Sequence, residues 1–352
     1  WRVSVADIGA AGPFSRFDGM DRTAVMVRGA GLHLSGETGA WQFEGPGSFA
    51  QFPGELALHC SEPGEPTQLW NVMVRRGAAQ AQVRNYDAII AAGELKVAVY
   101  KDFAPYSFED HGQPRGVDVE LAQALATALG VRLQLIWAPP GEKLDDDLRD
   151  YIWRGSPLRH QQLADLMMRV PYDHAYAQRR NEVGELENAQ VVMFGPYQEE
   201  RWQVAYDRRR LPSVASVAVF QQHPIGVEVD SVPSFYLTSV FNGMLSARTH
   251  HYPNVQQAFG AMQAGQVDAV MAMRGEVDWQ LHQAADPQLA LAENAYPNLG
   301  KQAWEIGMAV HESNRQLAYA VEEALETLIR DGRMKAIYAS YGLRYQVPEM
   351  YQ

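Results

Sequence analysis

Cysteine is almost absent from this sequence, with Cys60 the sole example in 352 residues. No disulfide can close within the chain, and no cysteine-based metal site can be built. Such poverty suits a secreted protein. Positive charge is also scarce: 30 Lys and Arg against 42 Asp and Glu leave a net charge of −12. A nucleic-acid partner would want a basic face, so none is expected. Apolar runs long enough for a membrane span, roughly 18 residues, are missing. So are the catalytic and cofactor motifs: there is no G-x-S-x-G elbow, no G-x-G-x-x-G and no Walker loop. No catalytic residue and no cofactor are therefore expected. The histidines lack metal spacing. His33, His59, His250 and His251 form no His-x-His pair, and "THHYP" sets its two on opposite sides of an extended stretch. Surface histidine is the plainer reading, and no metal is expected. The sequence opens on Trp1, so a leader peptide is not readable from it.

What is present divides near residue 85. Residues 1–84 carry Gly and Pro every few positions, with short apolar runs such as "TAVMVRGAGLHL", "ELALHC" and "LWNVMVRRG" between them. That spacing predicts a small all-β piece. The alternation in "AVMV" and "NVMV" predicts a core of Val25, Val27, Leu32, Leu34, Val72 and Val74. From Asn85 onward strands alternate with helical patterns, the mark of an α/β region with parallel strands. "ELKVAVY" reads as a strand, "GVDVELAQALATALG" as an amphipathic helix, "VRLQLIWA" as a strand and "DDLRDYIWRG" as a helix. "LADLMMRVP" is a buried strand, and "PIGVEVD" leads into a helix at "SVPSFYL".

Six stretches in this region, in order, are "YDAIIAAGELKVAVYKDFAPYSFED", "GVDVELAQALATALGV", "ADLMMRVPYD", "GVEVDSVPSFYL", "VQQAFGAMQAGQVDAVMA" and "LIRDGRMKAIYASYG". Together they resemble the family-3, amino-acid-type periplasmic solute-binding proteins over about residues 85–345. The resemblance implies an α/β two-lobed binding-protein fold of type II with the ligand in the interlobe cleft. Lobe 1 would hold residues 85–199 and 299–352, lobe 2 residues 200–298, with separate sheets and two chain crossings. The first 84 residues resemble instead the first half of a HutD-like cupin protein, a family linked to histidine utilisation. A half-barrel of this kind is expected to leave open edges and an incomplete core.

The resemblance also places candidate residues. Phe103, Tyr106 and Phe108 would lie in the loop lining the cleft, where Phe103 or Tyr106 stacks on the ligand; alternatively all three cap the lobe's own core. Asp118 and Glu120 open a helix, and the helix dipole alone explains them. At Asp230 and Ser231 a strand feeds a helix, whose free N–H groups could hold an anion; an ordinary Ser cap is the alternative. "KLDDDLRD" reads most simply as a solvated helix start. Amino-acid-binding relatives carry "T-x-T-P-E-R" after the buried strand, and its arginine pairs with the ligand carboxylate. In register, Asp173 replaces the second threonine and Tyr176 the arginine. The aspartate that receives the ligand ammonium is replaced by Met273, followed by Arg274. Arg169 or Arg274 could substitute from a neighbouring position.

Three functions follow as expectations. The first is a non-catalytic receptor holding a small molecule for a membrane transporter of the ABC type, monomeric and periplasmic. The second is an accessory homologue associated with a quinoprotein dehydrogenase. The third is a cupin-type enzyme or sensor in residues 1–84 with a fused binding region.

Overall fold

The computed structural model describes residues 2–36, 39–61, 63–75, 83–141, 143–156, 162–181, 184–293 and 295–352. The Gly- and Pro-bearing stretches "SGETG" and "EPGEP" and the end of "LWNVMVRRG" fall partly outside them. By contacts the chain forms two units: residues 1–82 with 155–162, and residues 83–154 with 163–352.

In the first unit two four-stranded antiparallel sheets share one core. One sheet runs Arg2–Ile8, Thr67–Arg75, Met20–Arg28, Phe49–Pro53, and the other Gly12–Pro13, His59–Cys60, Leu32–Gly36, Gly39–Phe43. Ile8, Phe14, Met26, Leu34, Phe43, Phe52 and Leu69 fill the space between them. The core is therefore better closed than a half-barrel would allow. Leu32 and Leu34 are buried as expected, but the valines are not. Ala24, Met26 and Met73 point inward at 0% exposure, whereas Val27 is 37% exposed and Val25, Val72 and Val74 are half-buried. The register is shifted by one residue, which sends each side chain to the opposite face. Arg22 also points inward, donating to Asn71 Oδ1 at 2.9 Å and lying 3.9 Å over the Phe14 ring.

The second unit holds the α/β region. Strands Arg132–Ala138, Glu94–Tyr100 and Leu166–Pro171 run parallel; Ala303–His311 then pairs antiparallel with Leu166–Pro171 and with the long strand Val191–Asp207. That strand continues past the first lobe. Residues 191–201 pair with Ala303–His311, and Trp202–Tyr206 pair with Ala269–Met273. Beyond lie the parallel strands Ile225–Glu228 and Thr249–Tyr252. One hydrogen-bonded path of strands thus passes through both lobes, a correction to the separate sheets expected from sequence. The cores stay separate. Leu95, Val97, Leu121, Leu125, Met308 and Leu325 belong to one. Val204, Phe220, Val227, Leu237 and Met271 belong to the other. A strand shared between two cores lets one element fix two lobes.

Local signals set the element ends. Asn85 caps the helix Tyr86–Ala92 by accepting from Ala88 N, and Gly93 closes it at φ 63° in the left-handed region glycine favours. The stretch "DDLRDYIWRG" forms a short helix, Leu144–Leu148, that continues as a π turn to Trp153.

Candidate functional site

A cavity of about 440 Å³ opens between the two lobes of the second unit. From the first lobe come Asp102, Phe103 and Ala104, in the loop after the strand Glu94–Tyr100. The second lobe supplies Glu228, at the end of its strand, and Asn254–Gln256, at a helix start. It also supplies Glu276, Trp279, Gln280 and Gln283 from the helix Arg274–Ala284. Glu276 and Trp279 are three residues apart, so both fall on the same helix face.

Behind Phe103 lies a stack of rings and charge. The Phe103 and Tyr106 rings meet edge-on at 5.0 Å, and the Arg169 guanidinium sits 3.4 Å over the Tyr106 ring. Tyr106 is fully buried, and its hydroxyl donates to Glu200 Oε2 at 2.5 Å. Its ring therefore faces protein, not cleft. Burial, then the Glu200 charge, raises its proton affinity well above the ordinary phenol value. Of the three loop aromatics only Phe103 lines the cavity; Phe108 packs on Trp279 at 5.9 Å and Tyr341 at 6.4 Å.

Arg169 sits at a β-bulge with φ 62°, and the bulge aims its side chain inward. Its Nε and Nη2 donate to the two Asp118 oxygens at 2.6 and 2.9 Å, and Nη2 also to Gln198 Oε1 at 2.9 Å. Tyr197 Oη donates to Asp118 Oδ1 at 2.9 Å. Burial works against the cation, but Asp118 outweighs it and holds the guanidinium well above its usual value. Asp118 is 0% exposed, so the helix-dipole reading missed its role. Arg169 is already neutralised and does not offer a free charge to a ligand.

The remaining candidates lie off the cavity lining. Asp173 caps the short helix His174–Ala177 and pairs with Lys301, which holds its carboxyl below the usual range. Tyr176 Oη donates to Asp145 Oδ1 at 2.7 Å. Asp230 is exposed at φ 56°, and Ser231 is the ordinary cap, accepting from Ser234 N at 3.2 Å. Arg274 donates to the Glu199 carbonyl at 2.6 Å and Gln346 Oε1 at 3.0 Å. The acidic run is not simply solvated: Asp147, 4% exposed, accepts from Tyr100 Oη at 2.8 Å and Gly141 N at 2.7 Å. His33, His59, His250 and His251 are exposed, and the described residues contain no group of three or more His, Cys, Asp or Glu fit to hold a metal.

Sequence reasoning missed Glu228, Glu276 and Trp279. A carboxylate closing an apolar strand at Glu228 and the Glu276–Trp279 spacing were the signals available. Glu276 is the most perturbed carboxyl here: burial, then the charges of Glu228 and Glu200, push it up to about 8. Burial also raises Glu228.

Comparison with known proteins agrees with this architecture. Residues 1–109 match the family model of HutD, and residues 95–153 match that of the bacterial extracellular solute-binding proteins, family 3. Over 104 residues the chain is 29% identical to a cyclohexadienyl dehydratase of Pseudomonas aeruginosa, covering 28% of this chain and 39% of that protein. Over 89 residues it is 33% identical to protein Ves of Escherichia fergusonii, covering 25% of this chain and 46% of that protein. The chain thus spans less than half the length of the curated relatives it matches. Among solved structures, an ancestral cationic amino acid solute binding protein superposes with a TM-score of 0.57 at 18% identity, covering 73% of this chain and 98% of that one. An amino acid ABC transporter substrate-binding protein from Streptococcus pneumoniae, bound to L-arginine, gives a TM-score of 0.50 at 22% identity, covering 73% and 100%. The α/β fold after the cupin-like segment is the two-lobed binding-protein fold of type II.

Proposed function

We propose that this protein is a non-catalytic receptor that holds a small molecule in the interlobe cavity and delivers it to a membrane transporter outside the cytoplasm. The observation that supports this reading is the cavity itself: an open recess walled by both lobes of a binding-protein fold, with an aromatic floor and several polar side chains. The lobes are joined by strands that cross between them, which is where a hinge for closure around a solute would lie. Native mass spectrometry of freshly purified protein tests the proposal. A stoichiometric small molecule released on unfolding is expected. A cleft that is empty in every preparation would transfer the assignment to an accessory protein of a dehydrogenase.

A dehydratase is the second reading, and Glu276 favours it. A carboxyl still protonated near neutrality can act as a general acid. Absorbance measurements with a cyclohexadienyl substrate discriminate the two, because dehydration to an aromatic product changes the near-ultraviolet spectrum. The receptor reading expects no turnover.

A further inference from the structure

We infer that the cavity takes an organic cation without a carboxylate, an alkyl amine or alkyl guanidine. This rests on the receptor reading and names its ligand class. Three carboxylates from three separate elements line the cavity: Asp102, Glu228 and Glu276. Its rings are Phe103 and Trp279, whose faces suit a cation. No Arg, Lys or His is among the described lining residues. Two of the nearby cations are already engaged, Arg169 by Asp118 and Arg274 by the Glu199 carbonyl and Gln346, while Lys101 is exposed and stands 4.0 Å from the exposed Asp102 carboxylate. An anionic group brought into this recess would lose water and meet no charged partner among the described lining residues, only the N–H groups at the helix start Asn254–Gln256.

The two inner carboxylates are poorly satisfied by the protein. Glu228 makes no side-chain hydrogen bond or ion pair among the described residues, although it is half-buried. Glu276 accepts one bond, from Met273 N at 3.3 Å. The charged groups facing it are Glu228 from the neighbouring strand, Glu200 from the crossing strand and Arg169 behind Tyr106; the first two raise its proton affinity and the third lowers it. With a value of about 8, Glu276 carries a proton at neutral pH. An ammonium or guanidinium group placed beside it would displace that proton. Ligand binding should therefore release a proton and strengthen as pH rises towards about 8.

Calorimetry on the intact chain, with agmatine and L-arginine as a matched pair, isolates the carboxylate; putrescine and L-glutamate complete the panel. Agmatine or putrescine is expected to bind at least about tenfold more tightly than L-arginine. The heat at neutral pH should depend on the buffer's ionisation enthalpy, as proton release requires. Glu276→Gln should abolish that buffer dependence and weaken the cation by about tenfold or more. Glu228→Gln should weaken it similarly and reduce, without abolishing, the proton release, since burial still raises Glu276. Melting curves of both variants separate lost binding from lost folding. Binding of L-arginine or L-glutamate as tight as that of agmatine overturns the cation assignment and leaves the receptor reading standing. A co-purified anion has the same consequence. No heat from either cation also overturns the assignment, and if the cleft is empty in native spectra as well, the receptor reading falls with it.

Discussion

At the scale of single residues, charge placement decides most of what this chain can do. The pair Arg169–Asp118 is buried on both sides, at 6% and 1% side-chain exposure. Removing one partner leaves the other charged and alone, which costs about 3–5 kcal/mol. Asp118→Asn should therefore lower the denaturant-unfolding free energy by that amount, and adding Arg169→Met should recover much of it. A loss below about 1 kcal/mol for the single variant would mean the pair is solvated. Glu276 makes a pH-dependent prediction with a definite sign. Its ordinary value is 4.5 and its folded value about 8. Between these the folded protein keeps a proton that the unfolded chain has released, so stability falls as pH rises through the window. Glu276→Gln removes that penalty. The melting temperature of the variant relative to the parent should climb from about pH 5 to about pH 8. A flat difference would show that the carboxyl is not desolvated. Of these residues, Arg169 was visible in the sequence as a candidate substitute for the missing arginine. Its partner was not, because the two are 51 positions apart and Asp118 has a sufficient local explanation at its helix start.

At the scale of elements, what was legible depended on whether the pattern had two distinguishable sides. Helix Arg315–Arg330 shows a clear apolar face, with Leu317, Val321, Leu325 and Leu328 buried, and its sequence declares it. Strand Met20–Arg28 does not. "TAVMV" is apolar on both faces and Arg22 lies inside, so period-two reasoning could not choose between registers. The crossing strand is hard to see in the sequence as one element because "FGPYQ" interrupts its apolar pattern with Gly and Pro. Gly195 at φ 57° supplies a bulge there, and the pairing with Ala303–His311 resumes at Gln198. The start of helix Arg274–Ala284 has a further constraint from close packing. A Cβ on Gly275 would collide with the Tyr106 hydroxyl, which bonds Glu200. Gly275→Ala must displace that ring or the helix, and a destabilisation of about 1–3 kcal/mol is expected. Urea unfolding measures it; an unchanged midpoint would mean the contact is loose.

At the scale of the molecule, the fold and the ligand chemistry were readable to different depths. Six ordered stretches were enough for the two-lobed architecture, since order and spacing survive where identities do not. The site was legible mainly through departures from the family pattern. Tyr176 stands in register where a carboxylate-binding arginine is expected, and Met273 where an ammonium-binding aspartate is expected. The structure shows what became of the possible substitutes. Arg169 faces Asp118, Arg274 is tied to the Glu199 carbonyl and Gln346, and neither lines the cavity. The carboxylates at Glu228 and Glu276 could still meet an ammonium group, but an α-carboxylate entering beside them finds two negative or shared-proton neighbours and no cation among the described lining residues. An ordinary α-amino acid is then held by one end and repelled at the other. An uncompensated buried charge costs several kcal/mol, enough to cancel what the ammonium end contributes. None of the twenty standard amino acids should bind better than about millimolar, equivalent to about 4 kcal/mol. Thermal-shift screening against all twenty, with calorimetry on any that raise the melting temperature, measures this directly. A micromolar amino acid would show that a cation reaches the cleft from a residue now paired elsewhere, with Arg169 leaving Asp118 as the first rearrangement to look for.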